Sequence, residues 1–118
     1  MAEVRLTIVL DSGARIGPGK AALLESIQST GSISAAARAM GMDYKRAWVL
    51  IESINQAFTT PAVTRSVGGR GGGSASLTAL GEDLLQRYRK LEILTQELAK
   101  NDLMALRRKS ASDRGPKV

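Results

Sequence analysis

Residues 31 to 58 read GSISAAARAMGMDYKRAWVLIESINQAF, and the spacing within them predicts two short helices meeting at a tight turn. Ile33, Ala36, Ala37 and Met40 recur at i, i+3, i+4 and i+7, which makes one apolar stripe on the first helix. The small alanines let a second helix cross it closely. Ser32 is placed to cap the first helix, and Gly41, free to take a positive φ, to stop it and turn the chain. Asp43 then caps a second helix whose Ala47, Ile51, Ile54 and Phe58 face the core, with Trp48 on the flank of that stripe and counted with the core. Lys45, Arg46, Val49 and Glu52 are left on the other side. This is a helix-turn-helix pattern, and its second helix opens on Tyr44, Lys45 and Arg46, where such a motif presents side chains to base edges in the major groove. A basic helical face is by itself most often a solvated face. Here the charges sit in the first turn of a helix already aimed by a tight upstream turn, which favours binding, and Tyr44 is placed to reach a phosphate or a thymine methyl.

Upstream, Val4, Leu6 and Ile8 alternate with Arg5, Thr7 and Val9, and Asp11-Ser12-Gly13 is a turn signal, so a small hairpin returning through Ala14 to Ile16 is expected. Pro18 and Gly19 end it, and a helix follows from about Lys20 to Gln28 on Leu23, Leu24 and Ile27. Downstream, Pro61 breaks the pattern. A strand over 62 to 67, the glycine-rich GGRGGGS at 68 to 74 and a short return through Leu77 make a wing. Glycines at its tip allow close approach to a phosphate backbone, where N–H groups and the Arg70 guanidinium can meet phosphate or enter a minor groove; a flexible, non-binding loop is the competing reading. Thr78 caps a long last helix with Glu82 and Asp83 in its first turn, and Leu84, Tyr88, Leu91 and Leu98 continue one stripe, joined by Leu80, Leu94 and Leu103. Running unbroken to about Leu106, that helix is roughly 40 Å long; the alternative is an end near Asn101 with the rest frayed. A domain this small cannot cover it, so pairing with the same helix of a second copy is expected. The organisation predicted is therefore mainly α with a small β wing: a winged helix-turn-helix with an N-terminal β-hairpin and a long C-terminal helix over residues 1–106, then a disordered basic tail over 107–118.

The 118 residues suit one modest core, and the net charge of +6 favours a polyanionic partner. Nucleic acid fits better than membrane: no apolar run approaches bilayer length, and no helix joins a lysine-rich face to bulky apolar anchors. The apolar stretch between Arg5 and Asp11 is too short for a signal peptide, and with no cysteine a cytoplasmic protein is the default expectation. An enzyme is not expected, since there is no histidine for proton shuttling and no cysteine nucleophile. GARIGPGKA at 13 to 21 mimics a phosphate-binding loop, but Ala14 stands where that motif needs glycine and Ala21 where it needs the Mg²⁺-ligating hydroxyl. Gly17, Gly19 and Ala22 fit a dinucleotide fingerprint only weakly, without the acid that would bind ribose. No metal site and no cofactor are expected.

From Gly19 to about Arg89 the sequence resembles the N-terminal domain of the ModE family, molybdate-responsive bacterial transcription regulators. The resemblance rests on GSISAAARAMGMDYKRAWVLIESIN at 31 to 55 and VTRSVGGRGGGSASLTALGEDLL at 63 to 85, in that order and separation. Asp43 stands where the family more often has serine, which preserves capping. The resemblance implies a homodimer that binds a palindromic operator on double-stranded DNA, with Ser34, Tyr44, Lys45 and Arg46 at the DNA and Arg70 on the wing. Arg65, also on the wing, is expected to join Arg70 in holding flanking phosphate or minor groove. The expected role is a transcription regulator, a repressor acting by occlusion, linked to molybdenum through the resemblance alone; a winged-helix module that docks on protein is the alternative. The family's molybdate-sensing domains have no room in this length, so molybdate binding is not expected of the chain, and capture of an oxyanion at the glycine-rich tip is a third, weaker reading.

Overall fold

The computed structural model describes residues 2–66 and 73–111. Among them the order is β1 (Ile8–Val9), β2 (Arg15–Ile16), α1 (Pro18–Thr30), α2 (Ile33–Ala39), α3 (Tyr44–Gln56), β3 (Val63–Ser66), β4 (Ser74–Leu77) and α4 (Ala79–Lys109). β1 pairs antiparallel with β2, and β3 with β4, giving the winged helix-turn-helix expected from the sequence.

The capping residues do what their chemistry predicts. The Ser32 hydroxyl accepts from the Ala35 N–H at 3.0 Å, Asp43 Oδ1 from the Arg46 N–H at 2.8 Å, and Thr78 Oγ1 from the Gly81 N–H at 3.1 Å. Each satisfies a donor that a helix start leaves without an intrahelical partner. Between α2 and α3, Gly41 takes φ 67°, and the Met42 N–H closes the turn on the Ala37 carbonyl at 3.0 Å. α1 starts two residues before the predicted Lys20 because Pro18 sits at its first position, where its ring-fixed φ suits a helix and its missing N–H is not needed.

The core gathers Leu23, Leu24 and Ile27 of α1, Ile33, Ala36 and Ala37 of α2, and Ala47, Ile51 and Ile54 of α3. β4 is tied in by its Ala75 N–H, which donates to the Gly31 carbonyl at the α1–α2 turn at 2.8 Å. α4 contributes Gly81, Leu85 and Tyr88 as its buried residues. The stripe predicted on Leu84 and Tyr88 is thus shifted: Leu85 is buried while Leu84 packs at the edge. The fully buried Tyr88 donates its hydroxyl to the Leu6 carbonyl at 2.6 Å, and Gln96 Nε2 donates to the Val4 carbonyl at 2.6 Å, so the segment before β1, where the sequence predicts strand, is irregular and lies along α4. Burial, reinforced by the Glu92 carboxylate and opposed by Arg89, holds the Tyr88 phenol above its ordinary pKa and keeps it a neutral donor. Arg89 itself is paired with Glu92 at 2.7 Å and with Glu25 of α1.

Past Tyr88, α4 has no further buried residue and is covered only in part, by the N-terminal segment. At 31 residues it is about 46 Å long, and it takes in Arg107, Arg108 and Lys109, which the sequence reading assigned to the tail. Leu91, Ile93, Leu94, Leu98, Met104 and Leu106 are all exposed, Leu98 at 86%. Among the described residues no helix is long and apolar enough to cross a membrane, and none gathers three His, Cys, Asp or Glu side chains that could hold a metal ion.

Candidate nucleic-acid interface

α3 is aimed by three constraints. Its Ala47, Ile51 and Ile54 are buried against α2 and α1, its first turn is held by Asp43, and its last turn is latched to the wing by Asn55. Asn55 Oδ1 accepts from the N–H groups of Ala62 and Val63 at 2.9 and 3.0 Å, and its Nδ2 donates to the Val63 carbonyl at 3.1 Å. One amide thereby ties helix to strand through backbone groups, and the wing inherits a fixed position beside α3. Asn55→Ala leaves these partly buried groups without partners, for an expected loss of about 2 kcal/mol in denaturant unfolding. Asn55→Asp, which keeps the acceptor but not the donor, should fall between; a wild-type midpoint for both would remove the latch.

The turn and the cap hold Tyr44, Lys45 and Arg46 outward, all exposed, Tyr44 at 48%. At about 100° per residue they fan around the helix. Tyr44 faces the wing, Lys45 shares the outermost face with Val49, which is 52% exposed, and Arg46 lies on the far flank beside β2 and the start of α1. Ser34, exposed in the first turn of α2, lines one cleft with Tyr44, Arg65, Ser66 and Ser74. The fold therefore brings Ser34, Tyr44 and Arg65 together, sets Lys45 and Arg46 apart from them on the same helix, and leaves Arg70 outside the described residues.

Arg65 bridges wing and helix. Its Nη1 donates to the Tyr44 hydroxyl at 3.4 Å, and its guanidinium lies 5.8 Å from the Trp48 ring centroid. Trp48 is 36% exposed and so does not belong to the core where the sequence reading put it. Four residues after Tyr44, it lies toward the wing, and β3 meets it with the Arg65 cation instead of an apolar side chain. Asn55 was missed altogether, because nothing in a single sequence marks a polar residue late in a helix as the partner of a strand eight residues on.

Several known proteins are similar in sequence to this chain. Transcriptional regulator ModE of Yersinia pestis is 43% identical over 96 residues, which are 81% of this chain and 36% of that protein. DNA-binding transcriptional dual regulator ModE of Escherichia coli K12 is 40% identical over 96 residues, 81% of this chain and 37% of its own. Molybdenum-pterin-binding protein MopB of Rhodobacter capsulatus is 46% identical over 86 residues, 72% of this chain and 32% of its own. These names describe regulators and a binding protein, not enzymes. The chain spans about a third of the length of the curated relatives it matches. No family model matches it.

Proposed function

Since the chain is homologous to the N-terminal part of the ModE regulators, we propose that it is a sequence-specific DNA-binding transcription regulator that works as a homodimer and represses by occupying its operator. The observation that carries this reading is the exposed Tyr44–Lys45–Arg46 turn, opening a 13-residue helix that is capped, packed and latched, with the Arg65 cation beside it. A helix about 10–12 Å across fits a major groove about 12 Å wide. Lys45 and Val49 then face base edges, a cation toward guanine and an apolar side chain toward a thymine methyl. Tyr44, Ser34, Arg65 and Arg70 serve the backbone or minor groove on the wing side. The exposed leucines of distal α4 are the surface on which the second copy pairs, since a helix this apolar along one side needs cover. A tie to molybdenum comes from the relatives' names, and genes for molybdate uptake or molybdenum-cofactor synthesis beside this one would support it.

Selection of bound duplexes from a random pool tests the proposal. Enrichment of two inverted half-sites about one helical turn apart, roughly 34 Å, is expected, because that spacing arises only when two copies bind together. No enrichment and no duplex binding at low salt would favour a protein-docking module instead.

A further inference from the structure

Arg46 does not lie alone on its flank. It lines a shallow, open cleft with Arg15 of β2, Lys20 of α1, Met42 and Leu50, and among the described residues no carboxylate lines that cleft. β2 and α1, adjacent in the chain, thus contribute one cation each, and α3, more than twenty residues on, contributes the third. Lys20 Nζ donates to the Arg15 carbonyl at 2.8 Å, which fixes the ammonium at the rim, and Arg15 follows the pairing of β2, whose Ile16 is buried. Among the described residues, Arg5, Arg87 and Arg89 each meet a carboxylate, whereas Arg15, Lys20 and Arg46 make no ion pair. Like charges gathered without acids repel one another, an arrangement that a polyanion relieves.

The position of the cleft on the helix says which polyanion. Tyr44 and Trp48, at i and i+4, face the wing; Arg46 and Leu50, also at i and i+4, lie about 200° and about 240° around the axis from Tyr44. A helix seated in the major groove has a phosphate strand on each side, and the wing can meet only one of them. We infer that Arg15, Lys20 and Arg46 form a second phosphate-binding flank, which holds the DNA strand on the side of α3 away from the wing. This rests on the DNA-binding reading above. A duplex backbone suits the cleft better than a free oxyanion does, because the cleft is open and does not enclose a single point.

The test is the salt dependence of duplex binding by the full chain and by Arg15→Gln/Lys20→Gln, on a selected duplex and on a scrambled one. Each phosphate contact adds about 0.9 to the slope of log affinity against log salt. The double variant should therefore lose roughly 1 to 2 from the slope and weaken on both duplexes alike, with the ratio between them unchanged. Arg15→Lys/Lys20→Arg, which keeps the charge, should restore the slope, a rescue that a folding defect would not show. If the wild type binds with sequence preference and the double variant keeps its slope, the second flank is overturned while the DNA-binding reading stands. If the ratio collapses with the slope unchanged, these cations read bases and the inference is wrong. A wild type that binds no duplex overturns both. Inorganic phosphate, titrated without DNA, should give no heat that depends on Arg15 and Lys20; such heat with an unchanged DNA slope would assign the cleft to a free anion.

Discussion

Lys45→Ala combined with Arg46→Ala is expected to weaken binding to a selected duplex by roughly a hundred-fold or more, from about 1–3 kcal/mol for a base contact at Lys45 together with a lost phosphate contact at Arg46. Both side chains are exposed, and among the described residues neither makes an ion pair, so thermal stability should hardly move, by about 0.5 kcal/mol at most. The single variants separate two kinds of contact. Lys45, on the outermost face of α3, should lose discrimination between selected and scrambled duplexes. Arg46, on the flank, should weaken both duplexes equally and lower the salt slope by about 0.9. Binding by fluorescence anisotropy across a salt series reads all three variants. A double variant that retains wild-type affinity would remove this turn from the interface and take the proposed function with it.

Gly81→Ala is expected to be strongly destabilising, although Gly81 lies inside a helix where alanine would ordinarily gain about 1 kcal/mol. A Cβ at this position would stand 2.1 Å from the Ala62 carbonyl oxygen and 3.2 Å from Leu77 Cβ. That carbonyl is itself held, accepting from the Thr78 N–H at 2.9 Å and from its hydroxyl at 3.2 Å. To make room, the start of α4 must move away from the base of the wing, breaking the cap and the strand end together. The expected loss is about 3 kcal/mol or more, a fall in Tm of roughly 10 °C or more. Calorimetry decides it, and a Tm at or above that of the wild type would mean that α4 and the wing base do not meet so closely.

The helix-turn-helix was legible because its signals are local. Ser32, Gly41, Asp43 and Thr78 act on backbone groups within a few residues of themselves, so their chemistry reads directly from order and spacing. Periodicity was a weaker guide at the margins. It assigned Trp48 to the core and favoured Leu84 over Leu85, because a flank position on a helical wheel is buried or open according to what packs there, and the wheel does not contain the partner. The candidate interface divides along the same line. Tyr44, Lys45 and Arg46 stood out through their place in a helix start. The environment that sorts them into wing side, outer face and far flank arrives with Arg65, twenty-one residues beyond Tyr44, and with Arg15 and Lys20, more than twenty before Arg46.

Short-range chemistry in this chain sets where helices begin and stop and which faces are apolar, because each depends on residues within about one or two helical turns of one another, and composition alone sets the sign of its charge. Contacts between distant segments settle the rest. Asn55 becomes a latch only when Ala62 and Val63 lie against it, Gly81 becomes irreplaceable only when the Ala62 carbonyl reaches its Cα, and three scattered cations share a cleft only once β2, α1 and α3 are packed together. Hydrogen bonds and close packing act over a few ångströms of space, and folding alone brings residues far apart in the chain within that distance.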